Sequence, residues 1–464
     1  MVSEPITVLK FGGTSVEDAA AVQRLVAIVR ACPGRRVVVV SALSRVTDAL
    51  LQAAARAAAR DVTGALAELE PHVSRHRAIA DGLLPAAEAA AAHAGIAAVM
   101  ARLRDSLNGT AGHPVDPATR DAIAACGEDL SAPLVAAALV AGGVRAVHVD
   151  PRRCIVTDGQ HHGATALPAT AEHTERALGP LLDAGQVPVL GGFVGATATG
   201  VTTTLGRGGS DVTAALLGAA LGAREIQIWT DVPGVLTADP RIVPDAHSIP
   251  RLSYGEAAEL AYFGAKVLHP RTIEPAVARG IPVRILDSRH PNGGSTLVTA
   301  GSDGRRGTIK AIAHKTGITV VQITAAKMLG THGFLYALFE IFARHRTVVD
   351  VVTTSEVSVS LTLEQPDPRP ALLADLKTLG EVTVERDRAI VCVVGDGLHD
   401  APGIAARVFD AVRDINVFLI SQGASRVNLT FVVEAQRAPD VVRRIHAAVF
   451  AGVPRAPRPA AEPA

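Results

Sequence analysis

TTTLGRGGSD, residues 202–211, joins a β-branched run to the apolar, alanine-rich stretch VTAALLGAALGA that follows it. Three glycines in one strand-to-helix turn let a ligand come close to bare backbone, since a residue without Cβ neither blocks approach nor resists left-handed dihedrals. Arg207 offers a planar fork suited to a carboxylate or a phosphate. Asp211 is open to two roles. It can cap the following helix, the commonest work of such an aspartate, or hold in place a phosphate-binding lysine or Mg2+.

A second turn of the same kind opens the chain. VLKFGGTS, residues 8–15, puts Lys10 at the end of a strand and then Gly12, Gly13, Thr14 and Ser15 at the start of an amphipathic stretch running from Val16 to Ala31. Backbone N–H groups, a helix N-terminus and a lysine suit an anion; an ordinary strand-to-helix turn would look the same in isolation. Two anion-seeking turns in one region suggest one site for two anionic ligands. GxxxxGK[ST] and a strand-bounded GxGxxG are both absent, which excludes the two commonest nucleotide-binding loops but not phosphate binding. HExxH and GxSxG are also missing, and His161-His162 lies in a polar loop, so hydrolase and metalloenzyme readings fall behind.

Composition narrows the class further. The chain has 464 residues, 48% of them apolar, enough for two to four domains at roughly 150 residues each. Lysine plus arginine equals aspartate plus glutamate, 45 against 45, so the basic footprint of a nucleic-acid binder is missing. Cys32, Cys126, Cys154 and Cys392 have no CxxC spacing, which argues against a disulfide framework or zinc site and for a reducing compartment. The N-terminus lacks a signal-peptide pattern and the most apolar run, Ala132 to Val144, is too short to span a bilayer. A cytoplasmic protein without membrane partners is expected.

Strand-like runs (ITVLKF, RRVVVVSAL, VRAVHVD, QVPVLGGF, EIQIWTD, IPVRIL) alternate with helical ones over residues 1–300, which predicts a mainly parallel sheet sandwiched by helices. Residues 50–125 read as a helical subdomain, being mostly alanine, leucine, arginine and glutamate. Beyond the glycine-rich boundary near residue 300 a unit occurs twice. Gly333, Phe339, Ser355 and Leu361 recur as Gly403, Phe409, Ser425 and Phe431, each 70 positions on. Two α+β units are expected, at 301–385 and 386–455, followed by a disordered tail at 456–464.

Three further stretches carry chemistry. CGEDLSAPL places Glu128 just before an apolar run, as a helix cap or as a partner for a substrate ammonium; the residues alone favour the cap. WTDVPGVLTADPR puts Thr230 and Asp231 at a strand end, where open α/β sheets bind ligands, with Arg241 beyond a Pro-Gly turn. FGAKVLHP offers Lys266, either a solvated surface lysine or a second cation for phosphate.

KFGGTS, GEDLS, TTTLGRGGSD, WTDVPGV, TADPR and FGAKVLHP, in this order, resemble the aspartokinases of the amino-acid-kinase fold, and VDVVTTSEVSVSLTL with SQGASRVNLTFVV resembles their paired ACT domains. The resemblance runs from about residue 6 to about residue 450 and is closest to the single-function, lysine-sensitive class. It implies ATP-dependent phosphorylation of the aspartate β-carboxylate, the first step toward lysine, threonine and methionine. Lys10 would bridge the phosphoryl group and the acceptor, with Gly12, Gly13, Thr14 and Ser15 as donors. Thr47, Glu128, Arg207, Gly208, Gly209 and Ser210 would bind L-aspartate, with Arg207 on its α-carboxylate and Glu128 on its ammonium. Asp211 would organise the lysine end. Thr230, Asp231, Arg241 and Lys266 would hold ATP, with Mg2+ bridging its phosphates and no metal cage of the protein's own. Leu236 departs from the family, which usually has tyrosine there.

The two copies differ in charge: Asp350 and Glu356 in the first are matched by Ile420 and Arg426 in the second. Two carboxylates near a glycine turn suit a ligand with two ammonium groups. Met328, Thr331, Gly333, Phe334, Leu335, Asp350, Ser355 and Glu356 are therefore expected to form a lysine effector site, as the resemblance also implies, and the repeats to support a homodimer or a dimer of dimers. Alternatives are surface acids on repeats that serve only dimerisation, a kinase for a related amino acid, or a non-catalytic amino-acid sensor.

Overall fold

A computed structural model describes residues 4–264, 272–301, 307–330 and 332–451. Lys266, Thr331 and the 456–464 tail lie outside the described residues. The chain divides into two units. One holds the residues up to Val235 together with 272–300, and the other holds 236–264 with 301–451, so the TADPR turn groups with the repeats and not with the rest of the first 300 residues.

In the first unit the strands run in the order Ala146–His148, Val187–Gly191, Arg35–Val40, Ile6–Phe11, Glu225–Thr230, Val283–Asp287 and Ser295–Thr299. Every neighbouring pair is parallel except the last, which is antiparallel. Val37 to Val40 are fully buried, as a strand covered by helices on both faces requires. Ile6–Phe11 lies near the middle of this sheet, so Lys10 and the loop after it emerge at its carboxyl edge, where ligands collect in such sheets.

Helices Val46–Ala58, Val62–Leu83, Ala86–Gly109 and Pro117–Ala141 supply the helical part and share one core with the sheet. Pro117–Ala141 is also the one described helix long and apolar enough to cross a membrane, but 78% of its most apolar window is buried inside the protein. Two local expectations are corrected. The helix after KFGGTS begins at Ala19, not Val16, because Asp18 accepts a hydrogen bond from Ala21 N and caps it there; Gly13–Ser15 forms a separate 3-10 turn. Glu128 is no cap either: Asp116 caps Pro117–Ala141, and Glu128 lies in its interior.

The second unit is built on an antiparallel sheet ordered Val352–Thr354, Ser358–Leu363, Thr308–Thr324, Glu381–Asp396, Asn428–Glu434, Leu419–Gln422. The repeat is visible in its helices: Gly333 and Gly403 adopt φ of +84° and +82° before Phe334–Arg344 and Ile404–Asp410. Thr308–Thr324 and Glu381–Asp396 pair along their length and each packs into both apolar clusters, so the two copies share one continuous sheet.

Candidate functional site

Loops that follow several strands of the first unit meet at the carboxyl edge of the sheet. The Lys10 ammonium stands 2.8 Å from Asp211 Oδ1, with the two side chains 12% and 15% exposed. Asp211 is in the first turn of helix Gly209–Ala220 and is not its N-cap; Gly208 holds that place at φ +71°. The carboxylate is thereby freed from capping and turned to the lysine. Gly206 also has a left-handed φ, +75°, so the turn reverses twice in three residues.

The Lys10 loop uses its glycines differently. A methyl on Gly13 would fall 2.9 Å from the carbonyl oxygen of Ala42, and Ser44 N donates to the Gly13 carbonyl. Gly12 N donates to Trp229 O, tying the loop to the next strand. Ser15 is buried, and its hydroxyl lies 2.8 Å from Ser288 Oγ and donates to Trp229 O, so it braces the loop and is not free to meet a ligand. Thr14 remains partly accessible.

Glu128 enters from helix Pro117–Ala141 with 3% exposure. Its Oε1 accepts Ala42 N at 3.1 Å, while Oε2 is buried without a partner. Burial pushes its pKa up to about 8, against the smaller opposing pull of the Ala42 N–H and the Lys10 charge. A buried carboxylate oxygen lacking a donor is costly, and a cationic ligand would relieve that cost. Gly191 makes room for Glu128, where any Cβ would fall 2.8 Å from that of Glu128, and a Cβ on Gly192 would fall 2.5 Å from that of Ser210.

Ser210 accepts a hydrogen bond from Ser41 Oγ at 3.0 Å, and Ser131 donates to Ser41 O. Thr47 is half-buried in the first turn of Val46–Ala58. Arg207 is exposed, as is Gly208, while Gly209 is buried. Thr230 donates to Asp231, which is exposed at its strand end. Arg241 belongs to the second unit, 83% exposed and paired with Asp239 at 2.6 Å. Sequence reasoning missed Ser41, Ser131, Ser288 and the Gly191-Gly192 pair; only the last left a signal, two glycines closing the strand of QVPVLGGF.

The chain matches the amino acid kinase family over residues 5–287 and an ACT domain over 391–449. It is 37% identical to lysine-sensitive aspartokinase 3 of Escherichia coli, covering 96% of this chain and 99% of that one. The chain belongs to the aspartokinases. Aspartokinase 2 of Arabidopsis thaliana, a chloroplast protein, is 36% identical over 96% of this chain and 84% of its own. Among solved structures, E. coli aspartokinase III in complex with aspartate and ADP superposes with a TM-score of 0.81 at 36% identity, covering 96% of this chain and all of that one. The same enzyme with lysine and aspartate gives 0.79 at 37% identity over 96% and 99%. This aspartokinase thus has the amino-acid-kinase fold followed by ACT-type units, and it is a kinase.

In the second unit the candidate effector residues fall into three places. Met328 is half-buried, and Gly333, Phe334 and Leu335 open helix Phe334–Arg344. Asp350 accepts a hydrogen bond from the Tyr262 hydroxyl, leaving its Oδ2 buried and unpartnered, and burial raises its pKa. Ser355 and Ser358 share a tight turn, with Glu356 exposed at its tip. In the second copy Arg426 is already paired with Asp400 at 2.7 Å.

Proposed function

We propose that this chain transfers the γ-phosphoryl group of ATP to the β-carboxylate of L-aspartate, giving 4-phospho-L-aspartate and ADP. The observation that carries the reading is the Lys10–Asp211 ion pair, set between two glycine turns at the sheet edge. A carboxylate oxygen of the acceptor attacks phosphorus, and the bond from phosphorus to the bridging oxygen of ADP breaks. Aspartate is already ionised at neutral pH, so no general base is required. What the reaction needs is positioning and neutralisation of negative charge. Lys10 supplies the charge and Asp211 keeps its ammonium aimed.

Arg207 would grip the α-carboxylate and Glu128 the α-ammonium, leaving the β-carboxylate toward Lys10; Thr47 and the 208–210 backbone complete the acceptor side. Gly12, Gly13, Thr14, Thr230 and Asp231 fit the nucleotide side, while Arg241 and Lys266 rest on resemblance alone. Among the described residues no group of three or more His, Cys, Asp or Glu could hold a metal. Mg2+ would be held chiefly by the nucleotide phosphates, as its reluctance to dehydrate favours, with Asp211 the carboxylate placed to help; it would neutralise phosphate charge. The structure of E. coli aspartokinase III with aspartate and ADP supports this reading. Hydroxylamine trapping with ATP, Mg2+ and a panel of amino acids tests it. Aspartate hydroxamate is expected; product from another acid alone points to a related substrate, and none from any acid points to a sensor.

Lysine is the effector this reading favours. Asp350 and Glu356 offer two carboxylates for two ammonium groups, where the second copy has Ile420 and a paired Arg426, and the E. coli relative has been solved with lysine bound. Inhibition requires lysine to bind one conformational state better than another. Millimolar lysine is expected to lower activity and shift the melting temperature; no change in either, with an active enzyme, refutes the effector site. The exposed Leu335, Tyr336 and Phe339 support pairing of these units into a homodimer, and four free cysteines fit a reducing cytoplasm.

A further inference from the structure

Thr204 lies two residues before Gly206, and its fastenings converge on one buried carboxylate. Asp121, 1% exposed on helix Pro117–Ala141, accepts Thr204 Oγ1 at 2.7 Å and Thr204 N at 3.1 Å. The same carboxylate faces His161 Nδ1 at 2.8 Å and His162 Nδ1 at 3.0 Å, and accepts His162 N at 3.2 Å. An ionised carboxylate only accepts, so both imidazoles present Nδ1–H to it. The histidine loop in turn touches the GRGGSD turn: Ala164 N donates to Thr204 O at 2.9 Å, and a methyl on Gly206 would stand 3.1 Å from the carbonyl oxygen of His162. No part of the phosphoryl transfer needs this network. Yet it holds both the strand that leads into the turn and the loop beneath it.

Its position on the helix supplies the reason. Asp121 and Glu128 are seven residues apart, two turns on one face of Pro117–Ala141, or about 10 Å along the axis. One helix therefore carries the candidate ammonium partner and the anchor of the turn that bears Arg207. Arg207 itself is exposed, so its placement comes from the backbone beneath it. We propose that Asp121, through Thr204, His161 and His162, is a positioning residue for the acceptor: it fixes the Arg207 turn relative to Glu128, and so the distance between the groups that grip the α-carboxylate and the α-ammonium. This rests on the aspartate-kinase reading above.

The test is steady-state kinetics of Asp121→Asn and of the double variant His161→Ala/His162→Ala in the full chain. An asparagine can accept at only one of its two terminal atoms, and its NH2 meets donors it cannot satisfy. Asp121→Asn is expected to raise the KM for aspartate at least tenfold while the KM for ATP stays within twofold and kcat within threefold. The double variant, altered at more accessible positions, is expected to raise the aspartate KM about threefold and leave that for ATP unchanged. A purely structural role would lower the melting temperature and the active fraction but leave both KM values alone. That result, or equal rises in both, overturns the proposal; should Asp121→Asn not fold, an unchanged aspartate KM in the double variant does so. A wild-type protein that forms no acyl phosphate would instead sink the functional reading, and the two failures are thereby distinct.

Discussion

The two glycine turns of the first unit look alike in composition and work by different physics. At KFGGTS Gly13 allows close approach: its backbone meets the Ala42 carbonyl at a distance that no side chain would survive. At GRGGSD, Gly206 and Gly208 allow left-handed dihedrals, and the double reversal aims Asp211 inward while Arg207 stays exposed. The first turn thus fixes a charge close to the sheet, and the second divides its two charges between inside and outside. Lys10 and Asp211 are largely shielded partners, whereas Arg207 is left accessible to a ligand.

If that division is right, Lys10→Ala gives the largest effect, a loss of kcat of about 10²–10³-fold with a much smaller change in aspartate KM, as for a group that stabilises charge in the transition state. Asp211→Asn should follow it in direction. Arg207→Ala should raise the aspartate KM about 10–100-fold, the worth of a charged hydrogen bond, and leave the ATP KM within twofold. Equal losses for both substrates would erase the distinction between the turns.

Glu128 gives a pH signature. Its pKa of about 8 in the free protein means it is mostly protonated at pH 6 to 7. An α-ammonium favours the ionised form, so aspartate binding must expel a proton below pH 8. The aspartate KM should fall as pH rises from 6 to 8, by up to about tenfold per unit, and level off above. Glu128→Gln should flatten that profile. The same raised pKa makes Glu128 a stabilising influence that is fully present below about pH 4.5 and lost as pH rises through 8.

The smallest effects concern the glycines. Gly206→Ala should cost about 1–2 kcal/mol through its left-handed φ, with a further share from a Cβ 3.1 Å from the His162 carbonyl oxygen, and Gly206→Asn should recover only the dihedral part, since asparagine tolerates that region but carries the same Cβ. Gly13→Ala should cost about 1–3 kcal/mol through overpacking, and Gly13→Asn should be worse still. Urea unfolding midpoints of the four variants would show whether asparagine rescues one turn only.

Much of this was legible in the sequence. Alternating strands and helices, the glycine turns and the 70-residue repeat each follow from local rules, because periodicity and the absence of a Cβ act on neighbours along the chain. The errors were also local. Asp18 started the first helix three residues later than amphipathicity suggested, and Asp116 supplied the cap that Glu128 was expected to provide. In both cases a capping residue outside the apolar pattern set the boundary.

The sequence by itself determined which chemistry was available: a lysine and an aspartate at two glycine turns, an arginine beside them, and acids at the positions of Asp350 and Glu356 in only one of two repeats. Only the tertiary structure decided which of these meet. It paired Lys10 with Asp211 across 201 residues, occupied the Ser15 hydroxyl with Ser288, and buried Glu128 with one oxygen unsatisfied. It also gathered Asp121 and a histidine pair, which the motifs had left without a role, beneath the turn that opened the reading. The reason is physical: burial and desolvation depend on atoms brought together from distant parts of the chain, and no local pattern records them.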